Sequence, residues 1–309
     1  MSRTSGHPTR TRRRTGLATV AASAVALSAL AAAPASAETS SPAGATGPAS
    51  IAYIEVNSTD LSVVGDYALE DGSSAFDVAI IFAANINHDG TGAYLHLNDR
   101  VQATLDDAAD QIRPLQDKGI KVTLSLLGNH QAAGFANFPD QAAAEAFADE
   151  VDDVVTTYGL DGVDIDDEWV SYGSEGVPAA NDESATWLVD ALDAKLPAGS
   201  IISLYDIGET AESLQSAPST VLDKLDYIWN PYYGQYNVPM FPGVDAARLG
   251  PAAIDISQTP AETAADLAER MVSDGYGVYV TYNLTAGDRS AYVSSFTRGL
   301  YGQDAVYTG

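Results

Sequence analysis

Residues 160–169 read Leu-Asp-Gly-Val-Asp-Ile-Asp-Asp-Glu-Trp, and five of the eight positions from 161 to 168 are acids. Strands disfavour Asp, yet the acids alternate with Val163 and Ile165 as side chains alternate along a strand. On such a strand Gly162, Asp164, Asp166 and Glu168 share one face, and Val163 and Ile165 share the other. The apolar pair can pack against helices, which turns the three acids inward. A rise of about 3.3 Å per residue puts the Cα atoms of Asp166 and Glu168 about 6.6 Å apart. Carboxylates that close and partly buried cannot all ionise cheaply, so one holds a proton near neutral pH. A protonated carboxyl beside an ionised one suits acid-catalysed hydrolysis. Asp161 and Asp167 lie off that face and are equally well read as acids of a solvated turn. The Asp-x-Asp-x-Asp spacing also resembles calcium ligation. An EF-hand loop, however, needs Gly at its sixth position and Glu at its twelfth, and neither fits a strand.

The elements that would hold these acids are visible in the hydropathy pattern. From Ile51 onward, short apolar runs alternate with longer amphipathic ones. Strands are expected at Ile51–Val56, Asp77–Ala84, Lys121–Leu126, Gly162–Asp166, Ile201–Tyr205, Tyr227–Trp229, Ala253–Ile256 and Gly277–Tyr282. Most are strongly apolar, as strands covered on both faces are. Val101, Leu105, Ala108, Ile112 and Leu115 follow the spacing of one helical face. So do Phe147, Val151, Val154 and Tyr158, then Leu188, Leu192 and Leu196, and last Tyr292, Phe296 and Leu300. Thr259-Pro260-Ala261-Glu262 predicts a capping box with Pro at the first helical position. The stretches 57–76, 206–224 and 233–252 are rich in Gly, Pro, Ser and Asp, so their helices should be short or missing. Eight strands alternating with helices over about 250 residues predict an α/β protein, a (β/α)8 TIM barrel with some short or missing helices. An open doubly wound sheet is the alternative, but no Gly-rich dinucleotide fingerprint follows the first strand.

Composition narrows the chemistry. The 309 residues carry 15 Lys+Arg against 42 Asp+Glu, a formal charge of −27, with 46% hydrophobic residues. So acidic a surface disfavours nucleic acid and anionic membranes as partners. No cysteine is present, which excludes disulfides, thiolate metal sites and Cys nucleophiles. Neither a nucleophile elbow, a zinc-protease helix nor a phosphate loop occurs, and the four histidines suggest no metal cluster. No cofactor and no metal are expected. Residues 1–37 hold five of the fifteen basic residues, no acid, an apolar run from Leu17 to Ala33, and Ala35-Ser36-Ala37. That is the pattern of a secretory signal peptide. Arg12-Arg13-Arg14 can be read as an ordinary positive start or as a twin-arginine signal. Loss of those five basic residues moves the charge from −27 to −32. Residues 38–50 read as a flexible linker, leaving 51–309 as one catalytic barrel.

Asp161-Gly162-Val163-Asp164-Ile165-Asp166-Asp167-Glu168 matches the D-G-x-D-x-D-x-E signature of family 18 glycoside hydrolases, and the chain resembles that family. The likeness extends to Phe82–Asn87, Ser125–His130, Ile202–Tyr205, Trp229–Gly234 and Gly275–Leu284, and spans about residues 51–309. It looks closest to the bacterial endoglycosidase H type, one of the endo-β-N-acetylglucosaminidases.

The resemblance implies a retaining mechanism in which the substrate's own 2-acetamido oxygen attacks C1. Glu168 would protonate the leaving oxygen and later activate water. Asp166 would orient the acetamido N–H, and Asp164 would bias the charge of Asp166. Tyr232 would donate to the acetamido carbonyl with help from Asn230. The chitinase pattern at that strand end, Met-x-Tyr-Asp, is absent, which favours an endoglycosidase over a chitinase. Tyr205, Tyr282, Asn129 and Asn85 are further candidate substrate contacts, with Tyr53, Asn87 and Tyr233 near the same strand ends. His130 is given no catalytic role. The implied activity is hydrolysis of the GlcNAc-β-1,4-GlcNAc bond in high-mannose or hybrid N-linked glycans, by a secreted monomer. A chitinase and a catalytically silent carbohydrate-binding barrel are the alternatives.

Overall fold

The structure is a computed structural model that describes residues 47–309. The expected signal segment and most of the expected linker lie outside the described residues. Eight parallel strands form the wall. They are β1 (Ala49–Glu55), β2 (Val78–His88), β3 (Lys121–Leu127), β4 (Gly162–Asp166), β5 (Ile201–Tyr205), β6 (Tyr227–Trp229), β7 (Leu249–Gly250 continuing as Ala252–Asp255) and β8 (Val278–Tyr282). Each pairs in parallel with the next, and β8 pairs with β1. The wall closes at β7, whose first part pairs with β6 and whose second pairs with β8, on either side of Pro251. A proline lacks the N–H that a continuous ladder would use.

Period-two alternation sorts the side chains into two cores. Inside the barrel lie Ile51, Tyr53, Val78, Ile80, Tyr205, Trp229, Ala253, Val278 and Val280. The opposite faces, including Ala52, Ile54, Leu124, Val163, Ile165 and Leu204, pack against the helices. Those helices are α1 (Asp99–Asp106), α2 (Gln141–Tyr158), α3 (Ser184–Lys195), α4 (Gly208–Leu214), α5 (Ala261–Asp274) and α6 (Ser290–Tyr301), with shorter turns between. A 3-10 helix, Leu61–Asp66, takes the place of the first crossover helix, and only another, Ala246–Arg248, serves the sixth. The poorest crossovers thus lie where Gly, Pro and Ser gather.

Four local expectations are corrected. β1 starts at Ala49 rather than Ile51, because Ala49 N–H donates to Gly277 O and Ser50 N–H to the Asp77 carboxylate. β7 starts before Ala253, at Leu249. The periodic stretch 101–115 is not one helix; it breaks at Asp107 and again at Ile112, just before Pro114. The capping box does not form. Pro260 occupies the N-cap of α5, and the Thr259 hydroxyl accepts instead from Asp255 N–H at 3.2 Å.

An acid stitches the bottom of the barrel three times. Asp77, Asp161 and Asp226 each precede a strand. Each carboxylate accepts from a backbone N–H of the neighbouring strand, at Ser50, Val122 and Ile202, at 2.8–2.9 Å. Each backbone N–H returns a bond to the carbonyl of that same residue. Asp161 also meets Lys121 at 2.9 Å. It is a structural clamp, far from the strand's other end.

Gly162 has φ +143°, and a Cβ there would sit 2.1 Å from Ile201 O. The glycine of the acidic motif thus lets β4 lie against β5 in a backbone form that other residues resist. Gly162→Ala should lower the unfolding free energy by about 3 kcal/mol, summing overpacking and backbone strain. Urea denaturation of the variant beside the wild type measures it.

Candidate active site

The inner face of β4 ends the barrel floor in carboxylates. Asp164 is fully buried, and three hydroxyls point at it: Tyr53 at 2.7 Å, Ser203 at 2.8 Å and Ser125 at 3.1 Å. These come from β1, β5 and β3, so the strand order itself assembles the cradle. Tyr53 in turn accepts from Trp229 Nε1 at 3.1 Å. Burial pushes Asp164 up to about 6, against the lowering effect of its three donors.

Asp166 lies one step closer to the mouth and is also buried. Its Oδ1 has no hydrogen-bond partner among the described residues. Burial raises its pKa well above the usual carboxylate range, and the charges of Glu168, Asp164 and Asp167 add to that. Glu168 is half-buried, and desolvation raises it too. The cluster therefore retains a proton near neutral pH.

Asp167 faces away from this group. Tyr172 donates to it at 2.6 Å and Thr210 N–H at 2.8 Å. It ties the end of β4 to α4, and burial pushes it up to about 6.

Asp166 and Glu168 open into a cavity of about 370 Å³. Of the expected contacts, Asn85, Asn129, Tyr205 and Tyr282 line it. Asn85 reaches the cavity because the β2–β3 register shifts between Ile81 and Ala84; its amide donates weakly to Leu127 O and Gly128 O. Asn129 donates to the buried Asn87 at 2.8 Å.

Tyr232 and Asn230 do not line the cavity. Trp229 points inward, so alternation sends Asn230 outward, Pro231 inward, Tyr232 outward and Tyr233 inward. Tyr232 is 51% exposed. The buried Asn230 amide donates to the carbonyls of Tyr232, Gln235 and Pro251, and its oxygen accepts from Tyr232 N–H at 2.9 Å. It pins the turn. Tyr233 takes the inward place, with its hydroxyl 3.0 Å from that of Tyr205. Burial holds both phenols protonated. One donates to the other, and one hydroxyl hydrogen is left for an acceptor in the cavity.

His130, a candidate hydroxyl contact beside Asn129, also lines the cavity, and residues that the sequence did not single out complete the wall: Glu55, Phe82, Pro231 and Trp169. Glu55 was detectable, since Ile51, Tyr53 and Glu55 alternate along β1. Trp169 was not, because both Trp169 and His130 adopt left-handed backbone, φ 61° and 54°. His130 N–H donates to Trp169 O at 2.7 Å, and the two rings lie 5.0 Å apart. This crossing needs Gly128, where a Cβ would be 2.1 Å from Glu168 O.

Comparison with known proteins accords with this geometry. The profile of glycosyl hydrolases family 18 matches residues 51–242. An endo-beta-N-acetylglucosaminidase of Flavobacterium sp. (strain SK1022) is 60% identical over 261 residues, covering 84% of this chain and 83% of the relative. Endo-beta-N-acetylglucosaminidase F1 of Elizabethkingia meningoseptica is 31% identical over 272 residues, with 83% and 79% covered. Among solved structures, Bacteroides thetaiotamicron EndoBT-3987 with Man5GlcNAc product shares the fold, with a TM-score of 0.73 at 24% identity. That match covers 86% of this chain, which spans 63% of the neighbour's length.

The raised carboxylates set a sign for stability. Asp164 binds its proton more tightly folded than unfolded, so its contribution is complete at pH below about 4 and is lost as pH rises through about 6. In Asp164→Asn the three hydroxyls can turn to meet the amide. Its unfolding free energy should therefore fall by about 2–3 kcal/mol less than the wild type's between pH 4 and pH 7. Urea titrations at the two pH values check this; an unchanged difference would show that Asp164 ionises freely in the fold.

Proposed function

The chain belongs to glycosyl hydrolase family 18, and on that premise we propose that it hydrolyses the GlcNAc-β-1,4-GlcNAc bond in the core of N-linked glycans. The 60% identity with an endo-beta-N-acetylglucosaminidase supports the bond. High-mannose or hybrid glycans are the proposed substrates, in keeping with the Man9GlcNAc2Asn substrate of the fold neighbour EndoBT-3987. The observation that carries the mechanism is the buried, unpartnered Oδ1 of Asp166 beside the half-buried Glu168.

Protonated Glu168 donates to the glycosidic oxygen, which departs with the electrons of its bond to C1. The 2-acetamido carbonyl oxygen attacks C1 from the other face and closes an oxazolinium ring. Asp166 accepts the acetamido N–H through its free oxygen and stabilises the positive charge, most effectively where water is excluded. Tyr233, not Tyr232, donates its hydroxyl to the acetamido carbonyl and aims it. Asp164, held by Tyr53, Ser125 and Ser203, keeps a charge or a proton beneath Asp166 and so tunes it. Glu168, now ionised, takes a proton from water. As that proton leaves, the water oxygen bonds to C1 from the face the leaving group vacated, the C1–O bond of the oxazolinium ring breaks and its electrons restore the acetamido group, and the configuration at C1 is retained. A dead-end carboxylate nucleophile on the protein is unnecessary, because the substrate provides its own.

We place this activity outside the cell, after export through residues 1–37. The mature N-terminus recovered from culture medium should then be Glu38 by terminal sequencing.

Mass spectrometry of a high-mannose glycoprotein after incubation tests the function. A remnant of one GlcNAc on each Asn is expected. Cleavage of the asparagine amide, or turnover of chitin oligomers alone, would refute it. Glu168→Gln should reduce kcat by about 10³-fold and Asp166→Asn by about 10²-fold or more, with Tm little changed. Tyr233→Phe should cost more activity than Tyr232→Phe.

A further inference from the structure

The cavity holds a third carboxylate for which this mechanism has no use. Glu55 ends β1 and lines the cavity with Asp166 and Glu168. Its Oε1 accepts from the Tyr282 hydroxyl at 3.0 Å. Tyr282 lies flat against Tyr233, with ring centroids 5.0 Å apart and planes 12° apart. Among the described residues no donor reaches the second oxygen of Glu55. Glu55 is only partly buried, so its second oxygen opens to the cavity, where a third carboxylate adds repulsion to the two already there. If Glu55 only anchored Tyr282, a neutral amide would accept the same phenol without that repulsion.

The strand order gives the carboxylate its place. β8 and β1 stand across the barrel from β4 and β5, so Glu55 and Tyr282 face Glu168 over the mouth. A sugar with C1 at Glu168 and its acetamido group against Asp166 and Tyr233 has its far edge towards β1. That edge carries hydroxyl groups, which are hydrogen-bond donors. A carboxylate accepts only, and its bonds to neutral donors are charge-assisted. Tyr282 holds the carboxylate in one orientation, so little freedom is lost on binding.

We propose that Glu55 is a substrate-binding residue: its free oxygen accepts hydroxyl groups of the saccharide on the side remote from the scissile bond. The proposal rests on the N-glycan reading above. It makes Glu55 a selector for neutral sugars that present hydroxyls there, opposite the acid that cleaves.

Calorimetric titration with Man9GlcNAc2Asn decides it. Two proteins are compared, Glu168→Gln and the double variant Glu168→Gln/Glu55→Gln. The glutamine can still accept from Tyr282, so the comparison isolates the charge. The double variant should bind at least about tenfold more weakly, with the same Tm. Equal affinity overturns the proposal. Binding by neither protein overturns it together with the N-glycan reading. Binding without any glycan release by the wild type rejects the catalytic reading alone, and the affinity ratio still decides Glu55. In the otherwise unaltered enzyme, Glu55→Gln should raise KM about tenfold, keep kcat within about threefold and leave the pH profile in place. A fall in kcat at constant KM would make Glu55 a positioning residue for Tyr282 and Tyr233, and the proposal would fail.

Discussion

Burial of two carboxylates on the inner face of β4 is the constraint to which the rest of the barrel answers. An acid taken out of water is protonated, paired or surrounded by donors. Asp164 is surrounded: β1, β3 and β5 each turn one hydroxyl towards it. Asp166 is not, and so stays proton-hungry. The difference between them is one step along the strand. The deeper acid is satisfied by the scaffold, whereas the shallower one keeps an acceptor for a ligand.

Other features follow from holding those acids in place. The barrel interior is apolar elsewhere, with Ile51, Ile80, Val278 and Val280 sealing the bottom. Tyr53 both packs there and donates to Asp164, which is why a tyrosine, with an apolar body and one polar tip, suits that layer. Gly162 lets β4 approach β5. Gly128 lets the loop after β3 cross over Glu168, and the crossing locks Trp169 and His130 into left-handed backbone at the mouth. Such backbone costs about 1–3 kcal/mol per residue. Here the His130–Trp169 bond and the Ser171–Gln131 bond offset it. The 57% exposed indole thus stands beside the proposed acid by construction.

The fold was legible because each barrel strand is a short apolar run with a turn on either side. The acids of β4 were legible because alternation assigns them one face. The same rule, applied further along β6, would have corrected the assignment there. Trp229 fills the interior, so Pro231 and Tyr233 must follow it inward, and the Asn-x-Tyr spacing of Asn230 and Tyr232 runs on the outer face. Strand parity, not the motif spacing, decides which of these side chains enter the barrel. Glu55 was missed for a different reason. Alternation places it on the inner face with Ile51 and Tyr53, but a lone acid at the end of an apolar strand also reads as a strand terminator. The left-handed residues, and the Asp107 break in the helix, depend on tertiary contacts that no local pattern carries. Thr259 shows the converse: its capping signal is sound, but the β7 turn competes for the hydroxyl.

Net charge and site protonation are separate matters in this chain. A charge of −27, if it acted alone, would raise every carboxylate. It does not. Asp71 and Asp89, fully exposed in tight turns, are lowered to about 2 by nearby Ser, Thr and backbone donors. Asp164 and Asp167, in the same acidic chain, rise to about 6 because burial removes their water. Asp164 shows the balance directly, since three donors act on it and desolvation still prevails. Surface charge is screened within about 10 Å at ordinary salt, whereas the carboxylates of β4 lie within one strand of each other and out of solvent. The acid needed for hydrolysis is therefore made by depth in the barrel rather than by the acidity of the surface. That surface can remain highly charged and soluble without setting the proton that Glu168 would give.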